Sequence, residues 1–216
     1  MPFRYVPILK TKAGEVEALA NLSPMARSRI FPLVRATTQI PATFQPSVLS
    51  MLTGLSIALD GEHNFSASGS FAAFASLFRG LGTHGMSVIP AISFNSVPAY
   101  LTASRRLVGV YAPGAVLQIA LVDLPQAQAW CTQQLQIPPS DIDLVITVGD
   151  VSSYDPSTMA RYVRGCLTGS LNATSPWRSI SLNSYSAARD HGGYARGVIA
   201  HEVGWAWARS QALGWI

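Results

Sequence analysis

Ala115-Val116-Leu117-Gln118-Ile119-Ala120-Leu121 is followed, one helix-length later, by Ile142-Asp143-Leu144-Val145-Ile146-Thr147-Val148. Both stretches are almost continuously apolar and rich in β-branched residues. Strands of that kind are buried on both faces, as in a parallel sheet covered by helices. The segment between them, about Pro125 to Leu135, carries a helical pattern. The pair and its connection therefore read as one βα unit closing on the next strand.

The same unit repeats outward in both directions. Toward the N-terminus, Ser87–Ile92 precedes a helix over Val97 to Arg106, and Leu55–Asp60 precedes one near Ser70 to Gly80. Arg29–Val34 precedes a helix near Pro46 to Leu52, and Tyr5–Leu9 precedes one from Gly14 to Leu22. Toward the C-terminus a helix over Pro156 to Leu167 leads to Arg178–Leu182, then to a helical stretch from Ala195 to Ala212. The strand spacing of roughly 25 to 35 residues is that of right-handed βα crossovers. Residues 1–216 thus predict a single α/β domain, a (β/α) TIM-barrel-like fold with seven visible βα units.

A complete barrel has eight strands and usually about 250 residues. The missing strand is expected from Leu213–Ile216, from a longer parent beyond Ile216, or not at all if the barrel is open. The alternative is an open doubly wound parallel sheet. Pro7, Pro32 and Pro90 fall within the apolar runs and are expected at strand ends or bulges, because proline donates nothing to a ladder.

Composition agrees with this architecture. Of 216 residues 49% are apolar and 12% charged, against about a quarter charged in ordinary domains. Disorder is excluded. The net charge of +4 arises from 15 basic and 11 acidic residues. No basic run exceeds Arg105-Arg106, so a dedicated nucleic-acid surface is not expected. Cys131 and Cys166 have neither metal-site nor disulfide-framework spacing, which suits buried thiols in a reducing compartment. Neither a signal-peptide pattern nor an apolar run of about 20 residues is present. A cytoplasmic location is expected.

Tyr5-Val6-Pro7-Ile8-Leu9-Lys10, with Lys12, Gly14-Glu15 and Ala18-Leu19, resembles the opening of the beta family proteins found in phages and prophages. Ile30-Phe31-Pro32-Leu33-Val34-Arg35 is similar to that family's second block, Leu59-Asp60 to its third, and Val88-Ile89-Pro90 to its fourth. His201-Glu202 with Trp205-Ala206-Trp207 is similar to a later block built on Arg, Glu and aromatics. The resemblance implies a phage-associated protein in a bacterial host cell. It also exposes departures: Arg35 replaces the acidic residue that usually closes the second strand, and Thr147 stands where an Asp is usual. Members are usually longer than this chain. Any chemistry resting on those carboxylates is in doubt here.

In a barrel of this kind, functional side chains collect at the carboxyl ends of the strands. That rule selects Lys10, Lys12, Arg35, Asn183 and Ser184 as candidate ligand-binding residues, and Glu15, Asp60 and His63 as candidate acid–base residues. Asp60-Gly61-Glu62-His63 is the densest ionisable run, able to exchange protons near neutrality. Each of these loops would also be polar simply because it is wet. No metal site and no particular cofactor is indicated. His201-Glu202 lacks the second His of a zinc-protease helix, since Trp205 occupies its place. Phosphate-cradling glycine motifs and a nucleophile elbow are absent from the sequence. The expected partner is a small anionic, nucleotide-like ligand, recognised or hydrolysed at the carboxyl face. The rival reading is a scaffold that binds a protein partner, or its own copy, through the Trp205/Trp207 region.

Overall fold

A computed structural model describes residues 6–10, 13–36, 53–63, 65, 71–83, 85–150, 155–171 and 176–185. Among the described residues there are seven strands, β1 (Ile8–Lys10), β2 (Leu33–Arg35), β3 (Ser56–Asp60), β4 (Ser87–Ser93), β5 (Ala115–Ala120), β6 (Ile142–Asp150) and β7 (Ser179–Tyr185). Each pairs in parallel with the next, so spatial order equals chain order. A doubly wound sheet reverses its strand order at a switch point. This one never does, and it curls into an incomplete barrel of the TIM type.

Helices fill the connections on the convex side. They are α1 (Ala13–Ala20), a short α2 (Pro24–Arg27), α3 (Phe71–Thr83), α4 (Pro98–Val110), α5 (Ala127–Trp130) and α6 (Pro156–Ser170). The short α2 had no periodic signal, but its start is encoded locally. Ser23 accepts from the Ala26 N–H as N-cap, and Pro24 takes the first position, where its missing N–H costs nothing. Segment 125–135, expected as one helix, is broken up: a 3₁₀ turn over Leu121–Gln126 leads into α5 and then into a π turn over Cys131–Leu135. Pro125 sits inside the 3₁₀ turn, and Gln136 ends the segment with φ of 57°. The expected helices near Pro46–Leu52 and Ala195–Ala212 and the strand at Leu213–Ile216 lie outside the described residues. Among the described residues no helix is long and apolar enough to cross a membrane.

Alternation along the strands sends side chains to two cores. Val34, Ile57, Leu59, Ile92, Leu117, Leu144 and Ile146 face outward, in one cluster with Phe74, Phe78, Tyr100, Leu107 and Leu135 from the helical layer. Leu33, Ala58, Ile89, Ala91, Val116 and Val145 face inward with Phe31, and Val6 and Ile8 pack against them. Alanines on the concave side suit the narrow space there.

Pro7 and Pro32 precede their strands, and their carbonyls still accept from Leu33 and Ala58, each at 2.9 Å. Pro90 departs from expectation, because it stands in the middle of β4. There the ladder to β3 ends at Leu59↔Pro90 and the ladder to β5 begins at Ala91↔Val116. A residue without an N–H is tolerated where the strand changes partner.

Candidate functional site at the carboxyl ends of the strands

The register aligns Lys10 with Arg35 and Arg35 with Asp60, across β1, β2 and β3. Each lies two residues beyond an inward apolar residue (Ile8, Leu33 and Ala58), so all three point to the concave face. The same count places Ser93, Gln118 and Thr147 above Ala91, Val116 and Val145. Asn183 joins them as the ladder partner of Thr147. A polar ring therefore lies over the inner apolar cluster at the end of the barrel where function collects.

Arg35 organises one side of this ring. Its Nη2 donates to Gln118 Oε1 at 3.2 Å, and its Nε lies 3.6 Å from Asp60 Oδ2. Gln118 belongs to β5 and Arg35 to β2, so this contact spans the concavity rather than joining neighbours. Gln118 is only 8% exposed, while the Arg35 side chain is 51% exposed. Burial raises the Asp60 carboxyl above its usual range. The Glu62 N–H, the Arg35 guanidinium and the Gln118 amide oppose that rise, and the Glu62 charge adds to it.

Behind Asp60 the backbone is pinned. The buried Tyr100 hydroxyl accepts from the Gly61 N–H at 3.0 Å and donates to the Ala91 carbonyl at 3.0 Å. Burial pushes its own ionisation far upward, so it acts as a neutral hydrogen-bonding post. Position 61 must be glycine, because a Cβ there would run into the Phe74 ring.

Within Asp60-Gly61-Glu62-His63, the Glu62 N–H donates to Asp60 Oδ1 at 3.4 Å. Glu62 accepts from Ser96 Oγ and from the Val97 N–H, both at 2.7 Å, and so ties this turn to the start of α4. His63 is exposed on the next position. Glu15 accepts from the Lys10 backbone N–H and closes the β1–α1 connection. Lys10 itself is exposed, and Lys12 lies outside the described residues. Asn183 is half-buried, and Ser184 stands opposite Gly149 on β6. At that point β6 is irregular between Thr147 and Gly149, with Gly149 at φ of 97°. Trp205 and Trp207 fall outside the described residues. Among the described residues, no group of three or more His, Cys, Asp or Glu could hold a metal ion. Cys131 is buried, with its thiol pushed up to about 12, and Cys166 is half-buried; both are free.

Gln118 and Tyr100 are not among the residues that strand ends and loops single out in the sequence. Gln118 left a signal, as the one polar side chain inside the apolar run Ala115–Leu121. Tyr100 left none, since a helical tyrosine usually reports packing. A second cluster, at the amino end, was also missed. Arg178 donates through Nε and Nη2 to the two Asp143 oxygens at 3.0 and 2.6 Å, and Ser179 Oγ adds a 2.6 Å bond. Its Nη1 reaches the Pro113 carbonyl at 3.2 Å.

Sequential parallel strands, helices outside, and a polar ring over an inner apolar core place the chain in the TIM-barrel-like class. Within that class it belongs to the beta protein family, whose sequence model matches residues 5–204. The crystal structure of a GH18 chitinase from Pseudoalteromonas aurantia is similar over 88% of this chain and 80% of that one. Its identity is 12% and its TM-score 0.47. No curated protein matches the chain.

Proposed function

We propose that the polar ring binds a small anionic ligand of the nucleotide or sugar-phosphate class, in a phage- or prophage-associated protein working in the bacterial cytoplasm. The observation that carries this reading is the register Lys10↔Arg35, which sets two cations side by side on the concave face. Paired cations match the oxygens of a phosphate, and the arginine fork adds directional donors. Asn183 would meet the ligand from β7. Glu15 serves by holding the Lys10 backbone. Asp60 would exchange a proton with a bound ligand, and turnover would depend on it. His63, exposed beside it, would be an auxiliary.

A thermal-shift screen of nucleotides and sugar phosphates, run on wild type and Lys10→Ala, tests the reading. Ligand at a hundred times its dissociation constant stabilises by about 2.7 kcal/mol, a clear rise in midpoint. That rise is expected in wild type and should shrink or vanish in Lys10→Ala. Product formation abolished by Asp60→Ala would mark an enzyme, and stoichiometric uptake without product a binder. No shift with any ligand removes the reading in favour of the scaffold alternative, for which Trp205→Ala and Trp207→Ala are the variants to weigh in solution.

A further inference from the structure

We infer that this anion site carries its own competitor: the Asp60 carboxylate holds Arg35 when the site is empty, and anion capture is coupled to proton uptake by Asp60. The inference rests on the reading of the ring as an anion site and specifies how that site is regulated.

Three features of the geometry lead here. The Arg35 Nε to Asp60 Oδ2 distance is 3.6 Å, too long for a strong hydrogen bond. Half of the arginine side chain is in contact with solvent, and exposed pairs of that kind contribute little stability. An incoming anion can therefore take the guanidinium over at small cost. Gln118 keeps the arginine in place meanwhile, accepting from Nη2 whichever anion Nε faces.

Losing Arg35 to a ligand leaves Asp60 in a poor position as a carboxylate. The groups around it are Arg35 from β2, Gln118 from β5, Tyr100 from α4 and Glu62 on the following turn; Lys10 lies one strand beyond Arg35. Glu62 and an arriving anion both repel a negative Asp60, and burial already disfavours its charge. With Arg35 turned to the ligand, the carboxyl takes a proton from solvent and remains neutral. Anion affinity should therefore rise as pH falls.

Sulfate is the suitable probe, because it stays a dianion from mildly acidic to neutral pH. Calorimetric titration of wild type and Asp60→Asn with sulfate across that range separates the outcomes. Wild-type affinity is expected to rise several-fold for each pH unit of acidification, up to the tenfold of one full proton. Asp60→Asn should bind at least as tightly at neutral pH, with a flat profile. Wild-type titrations in buffers of different ionisation enthalpy should show up to one proton taken up per sulfate, and the variant none. Parallel profiles in the two proteins overturn the coupling and leave the anion site standing. Failure of both proteins to bind sulfate at any pH overturns the anion site, and the coupling with it.

Discussion

Each end of the incomplete barrel holds an arginine–aspartate pair, and the two are built to opposite specifications. At the amino end, Asp143 is buried, with Arg178 gripping both oxygens and Ser179 on one of them. Arg178 also holds Pro113, so β5, β6 and β7 are clamped at their starts. At the carboxyl end, Arg35 meets Asp60 at 3.6 Å through a half-exposed side chain. One pair has its bonding satisfied within the protein, while the other leaves an arginine at the surface of the ring with donors to offer. Conformational strength was built at the face where barrels are stabilised, and chemical availability at the face where they act.

The contrast breaks most easily at the clamp. Arg178→Ala leaves Asp143 buried with Ser179 as its remaining side-chain donor, and should cost about 3 kcal/mol in denaturant unfolding. Arg178→Lys should recover only part, since a single ammonium cannot reproduce the fork. A loss under about 1 kcal/mol would mean that the amino-end pair is no stronger than an ordinary surface pair.

Tyr100→Phe sits between the extremes. It leaves the Gly61 N–H and the Ala91 carbonyl without the hydroxyl, and should cost about 1–3 kcal/mol by the same measurement. The phenylalanine ring preserves the contacts with Phe65 and Phe74. A null result would show that water replaces the hydroxyl behind Asp60.

The smallest effects belong to the carboxyl-end pair. Arg35→Ala should change stability by less than about 1 kcal/mol while abolishing the ligand-induced thermal shift. Asp60 has a raised pKa in the folded state, so its charge destabilises the fold at neutral pH and that penalty disappears in acid. Thermal midpoints of wild type and Asp60→Asn should therefore converge at low pH, with wild type falling behind as pH rises through the raised value. Wild type gaining on the variant with rising pH would show that the ion pair outweighs burial.

Much of this was legible before any coordinates. Apolar runs at βα spacing can be buried on both faces in a parallel sheet covered by helices, so the seven strands were readable, while their spatial order was settled by the pairing. The period of two separates the faces within each strand, while the register decides which of Arg35, Asp60, Gln118 and Asn183 share a face. Asp60 and Glu62 remain neighbours, with the Glu62 N–H donating to Asp60 Oδ1 at 3.4 Å, and His63 is exposed on the next position. Glu62 went to the α4 start, where unpaired N–H groups attract a carboxylate. Pro90 ran against the expectation for strand interiors because only the pairing of β4 with both neighbours reveals a change of partner there.

Alternating strands and helices, and several of the polar residues at the carboxyl ends, are legible in the sequence alone. Those follow from local periodicity and from the poverty of charge. Which polar groups meet depends on how the strands are brought together in space. Arg35 and Gln118 stand 83 positions apart, and Arg178 and Asp143 stand 35 apart. Curvature of the sheet brings the first pair across the concavity, and strand register brings the second together. Neither quantity is written in the spacing of residues along one strand.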